Sequence, residues 1–526
     1  MPLIVNLPIL DWLLLTGTHM ETEIELKFFV SPHISLQIRD KIAEYKVLQQ
    51  GQRFLNNTYY DTPDLQLRMN DIGLRVRRYD DVFVQTMKTA GRVVAGLHQR
   101  PEYNAELENA TTPDLHLVPH EALPEGVDID TLQAQLKPLF ATDFERQQWL
   151  IAMADGSQIE LALDQGNVTT DEGGEDVISE VELELKSGQT DALFTLARDL
   201  AEFGGVRLGN LSKAARGYRL ATGYDGDKPF PLKKVPVNTD MSVEQAFVCA
   251  IEHALSHWQY HEQVYFESGD ATALYEISLS VALVRQAMTL YGGMIPRRAS
   301  ALLRQELQWL EGELDWLPEA RAIAQLVEDK GYYLRKLNAK KPLRKALEAR
   351  DEALPDMADV QELLESPRYC KLLLDLSRWM LTRGWQPFLD EKSQAKLAAP
   401  VLKFAVRQLD TSWEELRAVF NRDEPLSRQE YFDQHPKLMR NLLTGVCLAN
   451  LFDQERCNAF RLPWLDVFQG IDDLQLLEPV RKLKKEFEDE DKSQIKKWLA
   501  RKEESLIHAM TQSQMAGLEL EPYWID

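Results

Sequence analysis

The sequence predicts an α+β protein in which a β-rich N-terminal part precedes an all-helical C-terminal part. Up to about residue 222, apolar and polar residues mostly alternate with period two, the pattern of strands with two different faces. Beyond residue 243, apolar residues recur at helical spacing over long stretches. Between these parts, residues 223–242 are rich in Pro, Gly and Asp, which predicts a linker.

Residues 1–19 form an apolar stretch that resembles a signal peptide only superficially. Asp11 interrupts the apolar run, no positively charged segment precedes it, and the run is too short to span a membrane. Because the first strand pattern begins at Met20, we expect the protein to start there. The leader, residues 1–19, is predicted to be disordered or not translated.

The net charge and the spacing of the cysteines limit which kinds of partner and metal site this chain can have. The formal net charge of the 526-residue chain is -23, which disfavours binding to nucleic acid or to an anionic membrane. A bound anion therefore needs a local basic cluster or a metal ion. The cysteines lack metal-type spacing and are interpreted as reduced core residues of a cytoplasmic protein. They are Cys249, Cys370, Cys447 and Cys457.

Several predicted strands carry charges of one sign on one face. The acidic positions are Glu23 and Glu25 in "EIELKF", Glu160 and Asp164 in "SQIELALDQG", and Glu180, Glu182 and Glu184 in "SEVELELKSG". Arg75 and Arg77 share a face in "GLRVRRYD". Neighbouring strands with like charges repel each other, so acidic strands indicate divalent cations and arginine-rich strands indicate a polyanion. Because Mg²⁺ or Mn²⁺ binds carboxylate and phosphate oxygens together, acidic and arginine-rich strands can face the same cavity.

The E-x-E-x-K pattern of "EIELKF" resembles the motif of the CYTH family, the triphosphate tunnel metalloenzymes. Further matches follow in order: "YYDTPD" with "LRVR", "TMK", "RPEYN", "FERQQW", "IELALDQG", "EVELEL" and "LSKAARGY". The resemblance covers residues 20–222. Residues 243–526 resemble the CHAD domain, a helical module associated with polyphosphate, and the pairing is similar to that of bacterial inorganic triphosphatases.

The resemblance implies an antiparallel eight-stranded β tunnel with its polar face inward and its apolar face outward under packing helices. The implied metal ligands are Glu23, Glu25, Glu102, Asp164, Glu182 and Glu184, with Glu180 as a further candidate. The implied phosphate-binding residues are Lys27, Arg75, Arg77, Lys88, Arg100, Arg146 and Lys213. Of all these, Glu23, Glu25, Lys27 and Lys88 are expected to be catalytic. Arg216 either joins them or braces its helix.

The resemblance further implies in-line phosphoryl transfer from triphosphate to water, with Mg²⁺ or Mn²⁺ as cofactor. The general base stays open between a metal-ligand glutamate and a lysine. No Walker A loop, G-x-S-x-G elbow or zinc-type His/Cys set occurs in the sequence that would indicate another catalytic class.

The helical part departs from the CHAD pattern of a histidine followed by closely spaced arginines. Tyr275 stands at the histidine position, and Arg285 alone is kept of the arginine series. A second stretch, "HPKLMRNLL", keeps His435, Lys437 and Arg440. We therefore expect weak polyphosphate binding. His253, His257 and His261 form a helical stripe that either binds an anion or metal, or packs as a helix flank.

Three functions are compatible with these observations. The leading one is metal-dependent hydrolysis of inorganic triphosphate (tripolyphosphate) to pyrophosphate and phosphate. The second is the same fold acting on an organic triphosphate, as a thiamine triphosphatase, nucleotide hydrolase or cyclase. The third is a non-catalytic polyphosphate-binding scaffold, which two acidic strands argue against because a pure anion binder needs no carboxylates.

Overall fold

The computed structural model describes residues 19–31, 34–79, 82–94, 96–107, 112–124, 126–328, 334, 337, 339–422 and 424–525. The predicted leader lies outside these residues, apart from His19, at which the first strand begins. The chain divides into two compact units. Unit 1 extends to Gly226 and includes Glu362–Thr382, and unit 2 comprises Asp227–Gln361 and Arg383–Asp526. The predicted boundaries at residues 222 and 243 remain a prediction.

Unit 1 is built around a closed antiparallel barrel. Its strands are β1 (His19–Val30), β2 (Lys46–Asp61), β3 (Gly73–Tyr79), β4 (Val82–Lys88), β5 (Arg92–Val94), β6 (Leu97–Leu107), β7 (Lys137–Ala152), β8 (Gln158–Thr169), β9 (Glu175–Ser187) and β10 (Val206–Leu208). Eight of them close in the order β1-β9-β8-β7-β2-β3-β4-β6, with β6 returning to β1. The short strands β10 and β5 flank this ring. The predicted eight-stranded antiparallel tunnel is confirmed.

Strand alternation puts the apolar face of this barrel outward. In the β3–β4 register, Arg75 lies opposite Thr86 while Val76 lies opposite Gln85, so alternate positions face opposite sides. The outward apolar residues of β3, β4 and β6 form a core with the segment that follows β6. This core includes Leu74, Val76, Met87, Tyr103, Leu107, Leu115 and Leu132. The polar positions between them are thereby directed into the barrel.

A second apolar cluster fills one end of the barrel from inside. It includes Leu55, Tyr59, Phe140, Phe144, Val168, Ile178 and Tyr218. Along β7, Phe140 and Phe144 share the alternation of Arg146, and therefore point inward with it. Helix α5 (Lys213–Ala221) covers this cluster, and Tyr218 from that helix packs edge-on against Phe140 at 5.3 Å. We call this cluster the plug, because it closes the tunnel at that end.

A glycine allows α5 to approach the plug. A Cβ atom at Gly217 would lie 2.0 Å from an atom of the Phe140 ring. Gly217→Ala is therefore expected to lower the free energy of unfolding by about 1–3 kcal/mol through overpacking. Urea unfolding followed by circular dichroism measures this change.

A matched control is Gly312→Ala in helix α8 (Ala301–Glu313). No atom lies within 4 Å of a Cβ atom there, so alanine is expected to be neutral or stabilising by about 0.5–1 kcal/mol. Equal effects at both positions would contradict the close approach of α5 to the plug.

Helices cover the outside of the barrel in unit 1. They are α1 (Ser35–Ile42), α2 (Gln66–Met69), α3 (Ile129–Gln135), α4 (Thr190–Ala201), α5 (Lys213–Ala221) and, from much later in the chain, α12 (Pro367–Leu381). Helix α4 contacts β1, β9 and α12. Because seven of its residues are buried, including Leu193, Leu196 and Leu200, α4 is covered on more than one side.

Ion pairs and a backbone hydrogen bond attach α12 to the barrel. Arg378 Nε and Nη2 donate to the two carboxylate oxygens of Asp191 at 2.6 and 2.7 Å. Arg198 likewise pairs with Asp375. The Gly205 N–H donates to the Glu365 carbonyl at 3.0 Å. Unit 1 is therefore assembled from two distant parts of the sequence.

Unit 2 is helical, as predicted. The other helices are α6 (Val243–Ser268), α7 (Ala271–Leu290), α8 (Ala301–Glu313), α9 (Leu317–Glu328), α10 (Lys340–Asp351), α11 (Met357–Leu364), α13 (Glu391–Leu397), α14 (Val401–Phe420), α15 (Arg428–Leu448), α16 (Gln454–Gln475), α17 (Glu478–Leu483) and α18 (Asp489–Glu519). A capping box of Ser242 and Gln245 begins α6, and Gly269 at φ 67° ends it. No described helix is long and apolar enough to cross a membrane.

The predicted linker is packed along helices of unit 2. The Phe230 N–H donates to His261 Nε2 at 3.1 Å, and the Leu232 N–H donates to Glu276 Oε2 at 3.1 Å. His257 Nε2 lies 3.0 Å from the same Glu276 oxygen. His253 Nε2 lies 2.9 Å from the Lys233 carbonyl. Of the two alternatives for the histidine stripe, the contacts therefore favour a packed flank, one that fastens the connecting segment.

The predicted reduced cysteines agree with the structure. Cys370, Cys447 and Cys457 are buried, Cys249 is half-buried, and all four are free thiols.

Candidate active site

The charged side chains of the strands meet inside the barrel. Register sets Glu25 opposite Glu184 and Lys27 opposite Glu182 between β1 and β9. Paired residues project to the same side of a sheet, so these residues share the tunnel. On the opposite wall, Lys88 of β4 lies opposite Glu102 of β6. A ring of inward charges of both signs results.

Six of these residues form a group in which the charges compensate each other, and we call it the paired cluster. Its members are Lys27, Arg146, Asp164, Glu180, Glu182 and Lys213. Arg146 Nε and Nη2 donate to the carboxylate of Asp164 at 2.7 and 2.6 Å, and Nη2 also lies 2.7 Å from Glu182. The cations hold the pKa of the Asp164 and Glu182 carboxyls below its usual range.

Lys213 and Lys27 complete the paired cluster. Lys213 Nζ lies 2.6 Å from Asp164 Oδ2 and 3.0 Å from Glu182 Oε1, and it also contacts Glu180. Lys27 Nζ lies 2.7 Å from Glu182 and 3.2 Å from Glu180. Three carboxylates and three cations therefore balance each other in the interior.

A second group is deficient in positive charge, and we call it the acid cluster. It consists of Glu23, Glu25 and Glu184. Burial and neighbouring carboxylates raise the pKa of Glu23 to about 7, and burial raises that of Glu184 to about 7 as well. Burial and Glu182 raise the pKa of Glu25. Glu25 is 8% exposed, and among the described residues its carboxylate has no ion pair or hydrogen bond.

Lysines flank the acid cluster without neutralising it. Lys88 Nζ contacts Glu23 and lies 2.9 Å from Glu102 Oε2. Lys186 Nζ lies 2.5 Å from Glu184 Oε1. A divalent cation bound between these carboxylates would remove the remaining repulsion.

A group of buried arginines, in contrast to the acid cluster, has an excess of positive charge. Burial, together with Arg75 and Arg146, lowers the pKa of Arg77 to about 9. The Nε atoms of Arg75 and Arg100 are buried and have no hydrogen-bond partner among the described residues. Arg77 Nε donates to Asn57 Oδ1 at 2.8 Å, which fixes the direction of its guanidinium group. Buried donors of this kind require an acceptor, and phosphate oxygens fit arginine well.

The structure places the predicted site residues in this one tunnel. Arg216 is separate, because its Nε donates to Asp176 at 2.8 Å and its nearest tunnel carboxylate, Glu180, is 3.8 Å away. Arg216 therefore braces α5 against β9. The catalytic, metal-binding and phosphate-binding roles of the other residues remain predictions.

Two tunnel residues, Asn57 and Lys186, were missed by the sequence analysis, and Glu160 was named there as an acidic strand position without a predicted role. Asn57 is fully buried and orients Arg77. Lys186 pairs with Glu184, and Glu160 lies opposite Glu184 in the β8–β9 register. A signal for Lys186 was available, since it continues the alternation of Glu180, Glu182 and Glu184 along β9. No comparable charge pattern marks Asn57.

This tunnel occupies the region that matches a known domain. The family model of the CYTH domain matches residues 21–218, and that of the CHAD domain matches residues 249–478. The chain carries a CYTH domain followed by a CHAD domain. Both predicted resemblances are thereby confirmed.

The inorganic triphosphatase of Haemophilus influenzae is 41% identical over 207 residues, which cover 39% of this chain and 56% of the relative. The match thus spans little more than half of the relative. A crystal structure of the CHAD domain from the plant Ricinus communis has a TM-score of 0.43 and 19% identity, and covers 57% of this chain and 99% of that chain. A Hippeastrum protein, proposed as an adenylyl cyclase and described as having dominant triphosphatase activity, has a TM-score of 0.27 and 17% identity, and covers 40% of this chain and 98% of that chain.

One set of three carboxylates in the CYTH domain lies close enough together to hold a metal ion. Ligand atoms of Asp164, Glu180 and Glu182 lie within 4.8 Å of one another, but this set already faces three cations of the paired cluster. The acid cluster has less charge compensation, so its charge, although not its spacing, favours a divalent cation. This charge argument favours the acid cluster over the closer geometric set.

The raised pKa of Glu23 predicts a pH-dependent stability difference. Glu23 prefers its protonated form in the folded state. In the presence of a chelator, the contribution of Glu23 to folding stability is therefore fully present below pH 4.5 and is lost as the pH rises through about 7. Glu23→Gln removes this loss. Its thermal midpoint is therefore expected to match that of wild type at pH 4.5 and to exceed it by a few degrees at pH 8.

Added Mg²⁺ provides the control for this prediction. If a cation binds the acid cluster, Mg²⁺ at pH 8 should stabilise wild type more than Glu23→Gln. A variant less stable than wild type in the chelator at pH 8 would contradict the account of Glu23.

Proposed function

We propose that the CYTH domain hydrolyses inorganic triphosphate to pyrophosphate and phosphate in a metal-dependent reaction. The observation that carries the proposal is the coexistence in one tunnel of a cation-deficient acid cluster and of buried arginine donors without acceptors. The metal ion of a metal–triphosphate complex would supply the positive charge that the acid cluster lacks. The phosphate oxygens of the same complex would supply the acceptors that the arginines lack. The similarity to an inorganic triphosphatase supports the same function.

The chain's own residues have separable tasks in this proposal. Arg75, Arg77 and Arg100 would orient the phosphoryl groups and stabilise negative charge on the leaving pyrophosphate. The carboxylates Glu23, Glu25 and Glu184 would hold the Mg²⁺ or Mn²⁺ ion, which when bound stabilises phosphate oxygens and lowers the pKa of water. Lys27 and Lys213 would keep the neighbouring carboxylates ionised and in place. The plug would exclude water from the closed end.

An organic triphosphate is the second candidate, and the open end of the tunnel argues against it. A cavity of about 110 Å³ lies there, which we call the mouth pocket. Its lining consists of glutamines, one leucine, Glu160 and Lys186, without an aromatic side chain among the described lining residues. A nucleobase or thiazole ring therefore finds no stacking platform in this pocket.

The deciding experiment compares kcat/KM of the full chain for tripolyphosphate, thiamine triphosphate, ATP and long-chain polyphosphate at fixed Mg²⁺. The proposal predicts a clear preference for tripolyphosphate and loss of turnover in a chelator. A preference for ATP or thiamine triphosphate would favour the organic alternative. Binding of long-chain polyphosphate without any hydrolysis would favour the non-catalytic scaffold.

For the CHAD domain we propose weak polyphosphate binding. Arg285, which is retained from the family's arginine series, pairs with Glu311. The ring of Tyr275 lies under the Arg321 guanidinium at 4.5 Å. His435 stacks on Phe468 at 4.8 Å. These groups are engaged within unit 2, so a bound polyanion would have to compete with existing contacts. Cytoplasmic localisation and the absence of nucleic-acid or membrane partners remain proposals.

A further inference from the structure

The mouth pocket lies at the end of the tunnel away from the plug. Gln49, Gln50, Gln148 and Gln158 line it together with Glu160, Lys186 and one leucine. Along β7, Gln148 is eight residues beyond the plug residue Phe140, which corresponds to about 26 Å at the usual strand rise. A linear ligand that is stopped by the plug therefore extends along the strands toward this pocket.

The balance of charge along this path changes from neutral at the paired cluster to negative near the mouth. The paired cluster lies at the level of Asp164 on β8, and Glu160 lies four residues closer to the mouth, or about 13 Å along the strand. Glu160 is opposite Glu184 of the acid cluster in the β8–β9 register. A chain that extends from the paired cluster toward the mouth thus reaches Glu160 at the level of Glu184.

The mouth pocket offers little positive charge to a further phosphoryl group. The four glutamines are neutral, and Lys186 Nζ is held 2.5 Å from Glu184. Among the described residues, Glu160 has no ion pair. Arg146 also interacts electrostatically with Glu160, but its guanidinium donates to Asp164 and Glu182. The carboxylate of Glu160 therefore lies at the opening without a direct cationic partner among the described residues.

We propose that the mouth pocket selects substrate by chain length, with Glu160 repelling any phosphoryl group beyond the third. This inference rests on the proposed triphosphatase function and adds a specificity-determining residue to it. Like charges at the short distances of a half-buried pocket repel strongly, whereas the neutral amides of the glutamines tolerate water or a chain end. Glu160 would then oppose the additional phosphoryl group of tetraphosphate more than the chain end of triphosphate.

The test compares tripolyphosphate and tetrapolyphosphate with the full chain in Mg²⁺, by calorimetric binding and by kcat/KM. Glu160→Gln is expected to raise the tetraphosphate-to-triphosphate ratio about tenfold, the size of one like-charge contact removed. Gln158→Glu adds a charge to the same lining and should lower the ratio. Glu172→Gln, at an exposed turn between β8 and β9, is the matched control and should leave the ratio unchanged.

Three outcomes overturn the inference: an unchanged ratio in folded Glu160→Gln, a ratio that rises in Gln158→Glu, or a loss of triphosphate turnover in Glu160→Gln that added Mg²⁺ restores. The last would make Glu160 a metal ligand. If wild type hydrolyses no tripolyphosphate, the proposed function fails, and the binding ratio still decides on the role of Glu160.

Discussion

Lys213→Met is expected to destabilise the folded protein by about 3–5 kcal/mol, the cost of removing one partner from a buried ion group. Lys213 is 5% exposed, and Asp164 and Glu180 are fully buried. Methionine approximates the length of the side chain but leaves these carboxylates with fewer cations. Urea unfolding without added metal, followed by circular dichroism, measures the loss of unfolding free energy.

Lys41→Met serves as the control. Lys41 pairs with Glu44 at 2.7 Å, but the Glu44 side chain is 65% exposed. Solvent screens such a pair, so the substitution is expected to leave the free energy of unfolding almost unchanged. If Lys213→Met costs no more than Lys41→Met, the paired cluster does not support the fold as described.

Glu25→Gln is expected to lower kcat/KM for tripolyphosphate by a factor on the order of 10² or more at low Mg²⁺. Glutamine preserves the shape of the side chain but removes a buried anionic oxygen that lacks any protein partner among the described residues. Raised Mg²⁺ should restore part of the activity. Because burial disfavours the charged form of Glu25, the variant should be at least as stable as wild type in a chelator.

Glu172→Gln again provides the comparison, since it removes an exposed carboxylate from a turn. Near-normal turnover of Glu25→Gln at low Mg²⁺ would remove Glu25 from the proposed metal site. A loss of activity that accompanies unfolding would show instead that Glu25 has a structural role.

The fold was predictable where local pattern and family motif agreed. Period-two alternation identified β1 and β9. Glu23 and Glu25 were expected to face the tunnel together with Glu182 and Glu184, and the register of these two strands agrees with that expectation. Ordered motifs then implied the closed ring of eight strands, which alternation alone cannot reveal because closure depends on pairing between distant strands.

Charge compensation inside the tunnel was not predictable from the sequence. Asp164 and Glu184 look alike as acidic strand residues, but Asp164 meets Arg146 and Lys213 whereas Glu184 meets Lys186. Such ion pairs depend on the register between neighbouring strands of the barrel and on the position that α5 gives to Lys213. The plug was missed for a related reason, since apolar residues at inward positions look the same in the sequence as outward core residues.

The origin of α12 has a consequence for the order of events during protein synthesis. Residues 227–361 separate the barrel from α12, and the ribosome adds about 5–20 residues per second. The barrel strands therefore emerge on the order of ten seconds before the helix that covers α4. During that interval the face of α4 that later contacts α12 lacks its cover, so a chain stalled before Glu362 is expected to recruit chaperones that a completed chain does not.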